Sequence, residues 1–233
     1  MIKIAGLQKV TLIDYPGHVA ATVFLAGCNF RCGYCHNPEL VEIKPKGIYL
    51  EEKEVFEYFK KRKKLLDGVC ISGGEPLLNQ EKDLINFLQK IKDLGFLIKL
   101  DTNGYNSSLL QKIIEKKLVD YIAMDIKANL GQYQQVTNAK VDLENIKKSI
   151  ELIKQSGLDY EFRTTVLPKF HNLAAIEEIA KLISGAKNYC LQNFRNRKTL
   201  DPAYHFERSF RDLELEKMKQ IAEKYVQKCE IRN

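Results

Sequence analysis

The sequence predicts an α/β protein, a partial (β/α)6 barrel of TIM type with parallel strands, on three observations. Six short apolar or β-branched segments are separated by longer stretches of helical period. The segments lack the in–out alternation of half-exposed strands, as expected of strands covered on both faces. The residues best suited to chemistry fall directly after these segments, on the rim where parallel sheets bind their ligands.

Taken in order, the N-terminal stretch MIKIAGLQKVTLIDY is broken by Lys3, Lys9 and Asp14, so no signal-peptide core is expected. The first strand is 20–26, AATVFLA. The longest apolar run, 19–28, is about half a membrane span, so no membrane association is expected. A helix follows over 51–65. Its basic run KKRKK at 60–64 suits a helix C-terminus, where cations meet the negative end of the dipole. The other reading is a patch for nucleic acid or an acidic partner. No nucleic-acid role is expected.

The second strand is 68–72, GVCIS, and the helix after it carries Leu84, Ile85, Leu88 and Ile91, with Gly95 where a C-cap belongs. The third strand, 97–101, leads to the stripe Leu109, Leu110, Ile113 and Ile114, capped by Asn106 or the Ser107-Ser108 pair. The fourth, 119–124, precedes Leu143, Ile146, Ile150 and Ile153, opened by Asp142 and closed by Gly157. The fifth, 159–167, precedes Ile176, Ile179, Leu182 and Ile183, between Asn172 and Gly185. The sixth is 189–192, and a last helix runs over 211–227. With no linker between units, a single domain over 1–233 is expected, its core about 15–195 and its C-terminal helical segment 208–228.

Four rim loops stand out. The first, CNFRCGYCHNPEL at 28–40, spaces Cys28, Cys32 and Cys35 as C-x3-C-x2-C. Three thiols are odd for disulfides and one short of a closed zinc site. Zinc would have to recruit His36, whose adjacency to Cys35 strains chelation of a single ion. An iron–sulfur cube spreads its irons several Å apart, so a short loop suits three corners and leaves one iron open. Zinc and incidental packing stay open as alternatives. Cys70, Cys190 and Cys229 are scattered and read as core or surface thiols; residues 36–67 hold no cysteine, so a single cluster is supported. This cysteine usage points to a reducing, cytoplasmic setting.

The second loop is Gly73-Gly74-Glu75-Pro76, where paired glycines let backbone approach a ligand or simply make a turn. The third is Asp101-Thr102-Asn103-Gly104, three oxygen-bearing side chains that suit a small cation or a turn. The fourth is Asp125-Ile126-Lys127, which sets two opposite charges on one strand face as a site element or a structural pair. Arg163 lies mid-strand among apolar residues and needs an inward partner, unless it faces outward at an edge. His18, His171 and His205 are read as surface residues, and Gln192 has no assigned role.

The cysteine spacing, with Tyr34 just before the last cysteine, resembles the signature of the radical S-adenosylmethionine superfamily. More narrowly, DYPG at 14–17, CNFRCGYCHNPEL, SGGEPLLN at 72–79, LDTNGY at 100–105 and YIAMDIKA at 121–128 are similar to glycyl-radical-enzyme activating enzymes, above all those serving anaerobic ribonucleoside-triphosphate reductase. The likeness runs from about residue 5 to about residue 195. It implies an oxidoreductase with one 4Fe-4S cluster on Cys28, Cys32 and Cys35, the open iron chelated by S-adenosylmethionine. Reductive cleavage would then yield a 5′-deoxyadenosyl radical that takes hydrogen from a glycine of a partner glycyl-radical enzyme.

The likeness further implies that Gly73, Gly74 and Glu75 meet the methionine ammonium and that Tyr34 and His36 lie by the adenine. It sets Asp101, Asn103, Asp125 and Arg163 beside the cofactor and Lys127 on the substrate side. A monovalent cation is implied at Asp101, Thr102 and Asp125, and a flavodoxin or ferredoxin as electron donor. Two other readings remain at this point. One is a small-molecule radical enzyme like the 7-carboxy-7-deazaguanine synthases, which carry a different tail after the last cysteine from the CHNP found here. The other is a non-catalytic metal-binding module, which leaves the rim clustering unexplained. The formal charge of +7 is expected to help dock the partner enzyme.

Overall fold

The computed structural model describes all 233 residues. In chain order the elements are β1 (Ile4–Thr11), β2 (Ala20–Leu25), α1 (Pro38–Val41), α2 (Glu52–Arg62), β3 (Gly68–Gly73), α3 (Glu81–Asp93), β4 (Leu97–Thr102), α4 (Ser107–Glu115) and β5 (Tyr121–Asp125). They continue with α5 (Tyr133–Thr137), α6 (Leu143–Gln155), β6 (Asp159–Val166), α7 (Leu173–Leu182), β7 (Tyr189–Asn193), α8 (Asp212–Ala222) and β8 (Cys229–Arg232). Hydrogen bonding follows strand number from β1 to β8, and the sheet does not close on itself. All six predicted strands are present, each within a few residues of its expected ends. No helix is long and apolar enough to cross a membrane.

Two compact units emerge. The first comprises Met1–Asn29, Glu39–Thr102 and Asn106–Ile122; the second comprises Phe30–Pro38, Asn103–Tyr105 and Ala123–Asn233. In the first unit β2 pairs in parallel with β3, and β3 with β4. Val69, Cys70 and Ile71 on β3 are completely buried, as the unbroken apolar run requires. The stripe of α3 is covered at Leu84, Leu88 and Ile91, and Gly95 ends it at φ +84°, a left-handed turn that glycine takes without strain. Asn106 caps α4 by accepting from the Leu109 amide. KKRKK lies exposed at the C-terminal end of α2.

In the second unit β6 pairs in parallel with β7, and β7 with β8. Asp142 and Asn172 cap α6 and α7 through their side-chain oxygens, and Gly157 and Gly185 take positive φ just beyond those helices.

Two strands were not expected. β1 pairs antiparallel with β2, and β8 follows α8, just beyond the expected helical segment 208–228. β1 escaped notice because Gly6, Gln8 and Lys9 interrupt its apolar pattern, as is common for edge strands. β8 is four residues long, and two of them are charged.

Candidate functional site

In the first unit the turn after β3 is woven against the end of β2. The amide of Gly74 donates to the Leu25 carbonyl at 2.8 Å, that of Glu75 to the Gly27 carbonyl at 2.7 Å, and that of Gly27 to the Leu40 carbonyl at 2.7 Å. A Cβ on Gly73 would stand 2.3 Å from Leu25 backbone, and one on Gly74 2.1 Å from the Gly27 oxygen. Both glycines are therefore required by main chain, which cannot shift as a flexible side chain would. Gly74→Ala is expected to cost about 1–3 kcal/mol and to lower the melting temperature by several degrees, read by differential scanning calorimetry.

Glu75 is buried, and one of its oxygens, Oε1, accepts both the Leu77 amide at 2.9 Å and the Thr102 hydroxyl at 2.7 Å. Asp101 is engaged on both oxygens. Oδ1 is ion-paired with Lys99, and Oδ2 accepts from the Ser72 hydroxyl at 3.0 Å. Lys99 is only 2% exposed. It was not among the expected site residues, because a lone lysine in an apolar strand gives no sign of which way it faces.

In the second unit the loop from Arg31 to Cys35 is held on two sides. The Arg31 amide donates to the carbonyl of Thr137 at the end of α5, and Gly33 accepts from the amide of Asp201. Tyr204 packs so closely on Gly33 that a Cβ there would lie 2.3 Å from its ring. The Cys35 amide turns back to the Cys32 carbonyl at 3.0 Å. None of the six cysteines is in a disulfide. Burial pushes the Cys32 thiol up to about 11, opposed chiefly by the positive charge of Lys127.

Tyr34 lies buried against Phe170 and Tyr204, ring centroids 6.4 and 6.2 Å away, and its hydroxyl has no hydrogen-bond partner. Buried hydroxyls normally find one, so this atom is a demand left for something else to meet. His36 stacks on Phe194, centroids 5.6 Å apart, and donates from Nε2 to the Arg195 carbonyl at 2.9 Å. Asn103 is buried and turns its Oδ1 back to the Tyr105 amide at 3.1 Å.

Asp125, Lys127 and Arg163 do come together. Asp125 accepts from Arg163 Nε through Oδ1 and from Lys127 Nζ through Oδ2, both at 2.8 Å. Burial alone would raise the Asp125 carboxyl, but the two cations outweigh it and hold it well below the carboxylate range. Burial would likewise lower Lys127, and the Asp125 charge holds its ammonium well above the usual lysine range. Arg163 therefore points to an inward carboxylate.

The pairing continues. Arg163 faces buried Glu161 at 3.9 Å, and Glu161 is gripped by Arg232 of β8 at 2.6 and 3.1 Å. The result is a ladder of alternating charge, Arg232–Glu161–Arg163–Asp125–Lys127, that ends on the ammonium whose charge acts on Cys32. Neither Glu161 nor Arg232 was expected in this role. A signal existed: i, i+2 spacing places Glu161 and Arg163 on one face of β6.

His171 requires a correction. It is 1% exposed rather than a surface residue. Its Nδ1 accepts from the Leu167 amide and its Nε2 donates to the Lys127 carbonyl, so it anchors the backbone that carries Lys127. Burial lowers its pKa despite these two bonds. The unfolded chain then takes up the proton first, and stability must fall as pH drops below about 6.5. Urea unfolding between about pH 7.5 and 5.5 should show this acid loss, at most about 1.4 kcal/mol per pH unit, and His171→Gln should flatten it. Cys70, Cys190 and Cys229 are buried within β3, β7 and β8, as core thiols. Burial pushes Cys190 and Cys229 up to about 12.

Residues 22–183 match the family described as the radical SAM superfamily. A protein of Methanocaldococcus jannaschii, named as a glycyl-radical enzyme activating enzyme, is 33% identical over 98% of this chain and 95% of its own length. The pyruvate formate-lyase-activating enzyme of Clostridium pasteurianum is 31% identical over 81% of this chain and 77% of its own. A solved domain of the pyruvate-formate lyase-activating enzyme from Bacteroides vulgatus matches with a TM-score of 0.56 at 19% identity, over 71% of this chain and 99% of that one, a likeness of fold.

Proposed function

Because the chain belongs to the radical S-adenosylmethionine superfamily and, within it, to the activating enzymes of glycyl-radical enzymes, we propose that its target is an anaerobic ribonucleoside-triphosphate reductase. Members of the family hold a 4Fe-4S cluster on three cysteines, bind S-adenosylmethionine and act on a protein partner. The observation that carries the reading is the near-complete likeness to an activating enzyme, over a chain whose three clustered cysteines form no disulfide.

The residues present fit these groups. Three thiolates are the usual donors to such a cluster. The orphaned Tyr34 hydroxyl and the Lys127 ammonium are polar groups suited to a charged ligand. When bound, the cluster supplies the electron and S-adenosylmethionine the group that abstracts hydrogen.

The chain's own residues bind, orient and exclude water. Cys28, Cys32 and Cys35 hold the cluster, and Lys127 favours the thiolate form of Cys32 that coordination requires. Gly73 and Gly74, whose close fit against main chain leaves no room for a Cβ, are assigned by the likeness to the methionine ammonium, and Glu75 fixes their turn. Tyr34 and His36 border the adenine. Arg163, oriented by Asp125, serves the cofactor carboxylate, with Asp101 and Asn103 shaping the loop beside it. Lys127, steadied by Asp125, is assigned to the substrate side. The electron donor is a flavodoxin or ferredoxin.

The test is anaerobic reconstitution with iron and sulfide, reduction, and addition of S-adenosylmethionine. Formation of 5′-deoxyadenosine and methionine is expected, and a fully loaded protein that cleaves nothing would refute the enzyme. Mixing with the candidate reductase should then give a glycyl signal by electron spin resonance. A silent spectrum despite cleavage would exclude that partner and favour another protein or a small molecule.

A further inference from the structure

The likeness to pyruvate formate-lyase activating enzymes implies a monovalent cation at Asp101, Thr102 and Asp125, and these residues do not fit one in this chain. In the first unit the Asp101 carboxylate already has a cation. Lys99, 2% exposed, is ion-paired with Oδ1, while Ser72 donates to Oδ2. The two residues are i, i+2 on β4 and so share a face, which makes the ammonium a tethered counter-ion at high local concentration. Its other neighbours are the Cys70 sulfur at 4.0 Å and the Tyr121 ring face at 5.8 Å. Neither offers the hard oxygens that hold sodium or potassium. The Thr102 hydroxyl donates to Glu75. In the second unit both oxygens of Asp125 are taken by Arg163 and Lys127. A free ion at either carboxylate would have to displace an ammonium or guanidinium that covalent structure keeps in place.

We propose that Lys99 is the resident cation of Asp101, and that cofactor binding by this protein is independent of sodium and potassium. Lys99 is a positioning residue. It neutralises Asp101 and fixes the Asp101-Thr102-Asn103-Gly104 loop without touching the cofactor. The inference rests on the proposed function for the identity of that cofactor, so the experiment has a second arm that does not use it.

In the first arm, S-adenosylmethionine binding to the reconstituted protein is measured by equilibrium dialysis at about 0.1 M ionic strength, in tetramethylammonium, sodium or potassium chloride. The wild-type affinity should change by less than about threefold among the salts. A saturable gain of about threefold or more with sodium or potassium would overturn the proposal. In the second arm, sodium NMR line widths are recorded on the protein alone. No saturable broadening that potassium reverses is expected from the wild type, and such broadening would overturn the proposal whether or not the cofactor binds.

Lys99→Met removes the charge and keeps much of the volume. It should bind the cofactor more weakly in tetramethylammonium, recover with potassium, and gain the sodium broadening. Lys99→Arg should remain indifferent to salt. A folded Lys99→Met protein with wild-type affinity in every salt would refute the role of Lys99. Should that variant fail to fold, the wild-type measurements in both arms still decide the question. Failure of the functional reading looks different, since it is an absence of cofactor binding in any salt.

Discussion

Replacing Cys28, Cys32 or Cys35 singly with alanine should abolish cleavage of S-adenosylmethionine, while alanine at Cys70, Cys190 or Cys229 should leave it detectable. A cluster held by three protein thiolates has no spare ligand, and each loss opens a second iron to solvent. Outer-shell changes at metal sites typically cost about 10–100-fold, and removal of a ligand itself should exceed that range. Iron and sulfide content after anaerobic reconstitution, with the charge-transfer absorbance of the cluster, would read binding separately from turnover. The control cysteines are buried in β3, β7 and β8, so their alanine variants create small cavities instead. Their cost should appear in melting temperature and spare the iron content. Full cluster loading and undiminished cleavage in Cys32→Ala would refute the assignment of this thiol.

The largest effect on stability is expected from Asp125→Ala. That carboxylate is the only acidic group with a hydrogen bond to Lys127 and also accepts from Arg163, whose side chains are 17% and 13% exposed. Without it, two cations face each other in a poorly hydrated place. Breaking one partner of a buried ion pair costs about 3–5 kcal/mol. Asp125 keeps 27% of its side chain accessible, which argues for the low end, about 3 kcal/mol. For a chain of this size, that is a fall of about 6–12 °C in melting temperature.

A lost side chain and an uncompensated charge can be told apart. Asp125→Asn removes the charge and keeps the shape, so it should retain most of the loss. The double variant Asp125→Ala with Arg163→Met should be less destabilised than the sum of its parts, because it removes one of the stranded cations. Strict additivity would mean that the ladder contributes no coupling. The proposed function adds a readout beyond stability, since both variants should weaken cofactor binding more than they lower the melting temperature alone would explain.

Much of this was written in local sequence. β2, β3, β4, β5, β6 and β7 were legible because strands covered on both faces become unbroken apolar runs, and their helices because caps such as Asp142 and Asn172 announce themselves. The rim loops were legible because cysteines, paired glycines and acids are unusual residues to find just after a strand.

What escaped was decided by distant partners. His171 looks like any loop histidine until Leu167 and Lys127 close around its two nitrogens. Lys99 and Asp101 are two residues apart, but whether they face a core or solvent depends on the neighbouring strand that brings Ser72. The braces on the cysteine loop come from α5 and from Asp201 and Tyr204, about 100 and 170 residues further along the chain. No local pattern marks such residues, since each is ordinary for its own element.

The charge ladder also has a timetable. Arg232 lies 71 positions after Glu161, so it is made long after β5 and β6. At ordinary rates of translation, roughly 5–20 residues per second, Glu161 waits about 4–14 s for that guanidinium. In the finished protein Arg163 also faces Glu161, at 3.9 Å, so a chain lacking Arg232 leaves Glu161 to compete with Asp125 for that guanidinium. The order of synthesis thus lays the ladder down from its Asp125–Lys127 end, and Arg232 closes it last. A nascent chain stalled before β8 would already carry every cysteine of the loop, yet it would hold the Asp125–Lys127 end less firmly than the finished protein.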